Sequence, residues 1–175
     1  AYAMNPSLVG SEMCIRDMDN LKFDQEGVAE VKRKFFGTLQ NIYSFFSLYA
    51  NIDNFEYKEA KINIDERPEL DRWILSELNT LIKKVDDNLE NYELTPAARD
   101  INDFVQEKLS NWYVRLSRRR FWKGEYNNDK VSAYQTLYEC LLNVSKLISP
   151  IAPFYSEHIF QSLNSVTNRE ECESV

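Results

Sequence analysis

From Val28 to Phe160 the apolar residues recur at steps of three and four, and little in the chain interrupts that period. Only four glycines and five prolines are spread over 175 residues, too few for the many turns of a β-sandwich or barrel. Steps of three and four place side chains on one side of an α-helix, whereas a strand alternates every second residue. The spacing therefore predicts an all-α fold, an antiparallel bundle of four long helices plus a short C-terminal helix.

The first helix is expected from about Gly27 to Ala50, with Asp24 as an upstream cap. Val28, Val31, Phe35, Leu39, Ile42, Phe46 and Tyr49 would form its inner face. Asn51 and Asp53 end it, and residues 54–67 read as a polar connecting loop. The second helix starts near Pro68, whose missing N–H costs nothing in a first turn, and runs to about Tyr92. Its stripe is Leu70, Ile74, Leu81, Val85 and Leu89, with Trp73 and Leu78 beside it. Thr95 and Pro96 suit the cap and first position of a third helix. That helix reaches Trp122, burying Ile101, Val105, Leu109, Trp112 and Leu116, and Gly124 is expected to stop it in the left-handed conformation. Asn127-Asn128-Asp129 opens a fourth helix, from about Lys130 to Ile148. Beyond the breaks at Pro150 and Pro153, a last piece spans Phe154 to Leu163. Residues 1–18 show no sustained period and read as a non-native or disordered leader. Residues 19–164 read as the folded domain and 165–175 as a frayed tail.

Several classes of function are disfavoured. No apolar stretch is long enough to span a bilayer, and no basic start followed by an apolar run marks a secretory signal. Cys14, Cys140 and Cys172 are odd in number and far apart, which argues against a disulfide framework or a zinc ribbon. Reduced thiols in a cytoplasmic protein are the expectation. His158 is the single histidine, so a nucleophile–histidine pair has one candidate base, placed in the last helix where a structural role is expected. There is no glycine-rich phosphate loop and no HExxH. Pairs such as Asp86-Asp87 and Glu170-Glu171 read as solvated charges. No catalytic, cofactor-binding or metal residues are expected, and the chain reads as a binding module.

The net charge of −7 disfavours nucleic acid unless cations are gathered locally. The segment KLSNWYVRLSRRRFWK, Lys108 to Lys123, gathers them. At about 100° per residue, Lys108, Asn111, Arg115, Arg118 and Trp122 fall in one narrow sector, flanked by Arg119 and Arg120. Guanidinium forks suit phosphate or base edges, an amide reads donor and acceptor patterns, and a flat ring stacks on an unpaired base. The same run equally suits the negative end of a helix dipole or pairing with Glu125 and Asp129, and Trp122 equally suits the core.

NWYVRLSRRRFW (Asn111 to Trp122) resembles the signature helix of the isoleucine-type class I aminoacyl-tRNA synthetases. Two further segments are similar to that family in the same order. NLKFDQEGVAEVKRKFFGTLQNIYSFFSLYANIDNF (Asn20 to Phe55) resembles the stretch after the catalytic domain, and LISPIAPFYSEHIF (Leu147 to Phe160) a proline-broken helix junction. The resemblance covers about residues 19–164 and implies the helical anticodon-binding domain of an ATP-dependent aminoacyl-tRNA ligase. The wording KFD, GV, EV and RKFF together with YANID favours the isoleucine type over the valine type. The implied partner is the anticodon stem-loop of tRNA-Ile, with the parent's catalytic and C-terminal domains in cis and neither DNA nor membrane. ATP with Mg belongs to a catalytic domain whose HIGH-type and KMSKS-type motifs are absent here, so no active site or cofactor is expected in this segment. By resemblance Trp122 matches the base-stacking tryptophan, and Asn111 and Asn41 match asparagines facing the anticodon. Arg115 and Arg118 are carried over as phosphate or base partners. Many relatives place an arginine where this chain has Ser44, so Ser44 is assigned no contact. The tail REECESV resembles the start of a further C-terminal region. The alternatives are a protein-interaction bundle that binds no RNA, and a valine-type domain.

Overall fold

The structure, a computed structural model, describes residues 25–172 and 174–175. Among the described residues all regular structure is helical, as the three-and-four spacing requires. Five helical rods follow one another. The first joins α1 (Gln25–Val31) to α2 (Gly37–Asp53) through a π-helical turn at Lys32–Phe36, right-handed at both junctions. The second is α3 (Glu69–Glu90). The third joins α4 (Leu94–Asp103) to α5 (Arg115–Trp122) through a π-helical stretch at Phe104–Val114. The last two are α6 (Asn128–Ile148) and α7 (Pro153–Thr167).

The helix ends follow local chemistry, not always the expected one. Asn54 takes the left-handed conformation (φ 54°) and turns its N–H back onto α2, a role that asparagine fills at little steric cost. The Asn127 side chain accepts the Lys130 N–H at 3.0 Å and caps α6. The third rod begins at Leu94, so Thr95 and Pro96 sit inside the first turn and Thr95 is not the cap. Proline is tolerated there because first-turn N–H groups have no helical partner. Gly124 does not take a left-handed conformation either, for no described glycine has positive φ. The chain leaves α5 because Lys123 is extended (φ −62°, ψ 134°). The α7 helix runs four residues past the expected Leu163, and Glu170 then binds Lys146 at 2.8 Å. Asp24, Cys14 and residues 1–18 lie outside the described residues.

One core joins Leu39, Ile42 and Phe46 to Ile74, Leu78, Leu81 and Val85, then to Ile101, Leu109, Leu137, Leu141, Ile148 and Phe160. The α6 helix is buried on almost every side, so the other rods pack around it. Its inward polar groups need partners, and residues 54–67 supply them. Gln135 accepts the Ile62 N–H and donates to the Ala60 carbonyl, both at 3.0 Å. Arg67, 3% exposed, donates to Ile62 O, Thr136 Oγ1 and Glu139 Oε1. Phe55 stacks on Tyr134 with centroids 4.8 Å apart. The segment expected as a polar connector is therefore part of the core. Conversely Val28 and Val31, expected inside, are exposed.

The largest departure is on the third rod. Trp112 and Leu116, expected in the core, are 59% and 56% exposed. Val105 and Leu109 are buried as expected, but the stripe continues through Tyr113, Ser117 and Phe121, a strict step of four. In an α-helix each four-residue step drifts by about 40°, so such a stripe would wind off the core. Across Phe104–Val114 the hydrogen bonds run from residue i+5 to i, as in Arg115 N–H to Ser110 O. That wider turn holds an extra residue and absorbs the drift, keeping every fourth residue inward.

A polar cluster fixes this register. Asp71, fully buried, accepts from Arg120 Nη1 at 2.6 Å and Nη2 at 2.8 Å, from Tyr113 Oη at 2.9 Å and from Ser132 Oγ at 2.6 Å. Arg120 Nη2 also reaches Asp129 Oδ1 at 3.0 Å. Burial works against the Arg120 charge, but its bonds to Asp71 prevail and raise its pKa, while burial beside Asp71 pushes the Tyr113 phenol well up. Three rods are thus tied at one point, α3 through Asp71, the third through Tyr113 and Arg120, and α6 through Ser132.

Candidate nucleic-acid interface

The stretch from Lys108 to Gly124 holds six cations and no carboxylate. The fold divides those cations into two groups. Arg120 is consumed by Asp71 and Asp129, so it belongs to the packing. Lys108 is half-buried and paired with Glu77 on α3. Arg115, Arg118 and Arg119 are exposed and make no ion pair or hydrogen bond among the described residues. Pairing of the run with Asp129 therefore holds for Arg120 alone.

Trp122 is 58% exposed, which removes it from the core. Asn111 is exposed, and its amide donates to Glu107 at 3.2 Å, one turn back on the same rod. The third rod thus presents Asn111, Arg115, Arg118 and Trp122 outward, and Lys108 stands at its α3 margin. Arg119, Trp112 and Leu116 widen the exposed strip. Sequence reasoning missed the last two because it assumed an α-helical period throughout. The four-residue spacing of Val105, Leu109, Tyr113, Ser117 and Phe121 was the signal that would have found them.

Asn41 comes from the first rod. Phe45 and Tyr49 on α2 pack against Phe121, with centroids 5.1 and 6.4 Å apart. The turn Lys32–Phe36 contacts Phe104–Val114, so the first and third rods run parallel. On a wheel of about 100° per residue, Asn41, Leu48 and Ile52 lie beside Phe45 and Tyr49, on the side turned toward α5. All three are exposed. Arg118 and Trp122 lie on the α5 side that faces α2, while Arg120 lies on the side that faces α3. The wheel therefore turns Asn41 toward the side of α5 that carries Arg118 and Trp122. Ser44, one residue before Phe45, is exposed, and its hydroxyl accepts from Gln40 Nε2 at 3.4 Å.

This surface combines unpaired guanidinium groups, two amides and an open indole. It can neutralise phosphate, read base edges and stack on a ring. His158 is exposed on α7, Cys140 is fully buried and burial drives its thiol pKa up, away from the reactive thiolate. No group of three or more potential metal ligands occurs among the described residues. No described helix is long and apolar enough to cross a membrane.

The family model described as the anticodon-binding domain of tRNA ligase matches residues 71–175, which takes in α3 from its third residue, the whole third rod and everything after it. The chain belongs to this anticodon-binding domain family. Its relatives agree. It is 62% identical over 157 residues to isoleucine–tRNA ligase of Bacteroides fragilis, covering 90% of this chain and 14% of that protein. It is 65% identical over 145 residues to the isoleucine–tRNA ligase of Porphyromonas gingivalis, covering 83% and 13%. The isoleucine–tRNA ligase of Dehalococcoides mccartyi is 55% identical over 154 residues, 88% of this chain and 15% of that protein. The chain therefore spans about one seventh of the length of the curated relatives it matches.

Proposed function

We propose that this chain binds the anticodon stem-loop of tRNA-Ile as the anticodon-binding part of an isoleucine–tRNA ligase. The observation that carries the reading is the carboxylate-free stretch from Lys108 to Gly124 on the third rod, with three unpaired arginines and an open Trp122 on one outward strip of an otherwise acidic protein. Asn41, Lys108, Asn111, Arg115, Arg118 and Trp122 are its contact residues. In this reading residues 19–164 are the binding unit, an antiparallel bundle of four long helices with α7 as the closing one. The full ligase works in the cytoplasm and draws on ATP and Mg in a catalytic domain, which this segment meets in cis along with a C-terminal region. The names of the relatives support the isoleucine type over the valine type.

The test is binding of a labelled tRNA-Ile anticodon stem-loop across a salt series. Counterion release predicts an affinity that falls as salt rises, with a log–log slope of roughly −2 to −3 for three arginine–phosphate contacts. Trp122→Ala is expected to cost ~1–3 kcal/mol if the indole stacks on a base, and to lessen discrimination among loop sequences. No binding at low salt would instead favour a protein-interaction bundle, the reading that the net charge of −7 supports.

A further inference from the structure

Trp112 is an exposed indole that is not among the contact residues proposed above. It is 59% exposed and lies on the opposite shoulder of the third rod from Trp122, facing α3. Its ring leans on that of Trp73, with centroids 6.5 Å apart and planes at 56°. One turn on, Leu116 is 56% exposed. Glu77 closes the neighbouring position by pairing with Lys108. Arg115 and Arg119 stand on the crest between this shoulder and Trp122, exposed and without partners among the described residues. An aromatic pair and a leucine left open beside two unpaired guanidinium groups is a costly surface for water alone. Its charge matches a polyanion, and its flat rings match bases or riboses. It is continuous with the proposed anticodon surface through Arg115 and Arg119.

We infer that Trp112, propped by Trp73 and bordered by Leu116, is a second stacking platform for the same RNA, resting on the anticodon reading above. The two indoles are ten residues apart on one rod. At a rise of about 1.5 Å per residue their separation along the axis is about 15 Å. Stacked nucleotides advance about 3.4 Å along a strand, so the platforms hold nucleotides about four steps apart. Trp122 takes a base of the unpaired loop, and Trp112 takes one where the strand leaves it. Arg115 and Arg119 bind the phosphates between. Trp73 is a positioning residue that keeps the Trp112 ring from folding onto the rod.

The experiment uses the whole chain and a tRNA-Ile anticodon stem-loop. Because its indole is mostly exposed, Trp112→Ala is expected to keep its helical circular dichroism and to weaken RNA binding roughly five- to 150-fold. Trp112→Phe should recover most of that loss, whereas Trp112→Leu, which keeps apolar area but no ring face, should not. In a Trp122→Phe protein, Trp73 and Trp112 are the remaining indoles, and RNA should quench their fluorescence. Wild-type affinity in Trp112→Ala alongside weakened binding in Trp122→Ala would overturn the second platform and leave the anticodon reading standing. That outcome would assign the shoulder to a protein contact. Equal rescue by Leu and Phe would also overturn stacking. A wild-type chain that binds no stem-loop at all would overturn both.

Discussion

Asp71→Ala removes the one carboxylate at which three rods meet. Its two oxygens accept four hydrogen bonds, two from Arg120 and one each from Tyr113 and Ser132. The substitution leaves a guanidinium with a side chain 13% exposed, held only by Asp129, the buried Ser132 hydroxyl without its acceptor, and the Tyr113 hydroxyl with only the Ala133 carbonyl at 3.5 Å. Breaking a buried pair by deleting one partner costs about 3–5 kcal/mol, because the remaining charge stays buried. In a domain of this size 1 kcal/mol moves Tm by about 2–4 °C, so the midpoint should fall by roughly 6–20 °C. Urea unfolding followed by circular dichroism, on Asp71→Ala, Arg120→Ala and the double variant, measures the coupling directly. The double variant should be markedly less destabilised than the sum of the singles. Asp71→Leu with Arg120→Met, which leaves no orphaned charge, should recover much of the stability. A loss below about 1 kcal/mol for Asp71→Ala, or singles that simply add, would refute the claim that this cluster sets the register of the third rod.

Raising pH should destabilise the chain above about pH 10. Tyr57 is pushed up to about 12 by burial and by the Glu139 charge, and Tyr113 is pushed well above its ordinary value. The folded state therefore keeps both phenols protonated at pH values where the unfolded state releases them. Their contribution is full below the unfolded pKa and is lost as pH climbs toward the folded one, by ~1.4 kcal/mol per unit per phenol. Urea midpoints at pH 9 and pH 11 check this, and equal midpoints would contradict it. In the stem-loop assay, Arg115→Ala should flatten the salt slope by about one. Lys108→Ala should change it less, because Glu77 already holds that ammonium; equal changes would show that the pair opens on binding.

Most helices were readable because their faces obey a single period. Leu39, Ile42 and Phe46, or Ile74, Leu81 and Val85, are buried where the three-and-four spacing puts them. The errors fall where another interaction outweighs that period. Phe55 and Tyr57 sit in a polar, aperiodic stretch, and only the needs of Gln135 and Thr136 on a distant helix draw that stretch inward. Val28 and Val31 carry the helical spacing yet find no neighbour among the described rods to cover them. Arg118 and Arg120 look alike in RRR, but one faces water and the other Asp71. That difference depends on a residue about fifty positions earlier, which no local pattern reveals. Trp112 and Leu116 were misplaced because backbone hydrogen bonding, not side-chain spacing, changes the turn beneath them.

That wider turn has a consequence for comparing proteins of this kind by their letters alone. Which way α5 points is decided upstream, by how many residues each coil between 104 and 114 contains. Two chains with the same eight residues from Arg115 to Trp122 would show different sides to the outside if one of them wound the preceding segment as an ordinary α-helix. In that chain the tryptophan and phenylalanine could trade outward and inward places without a single change in spelling.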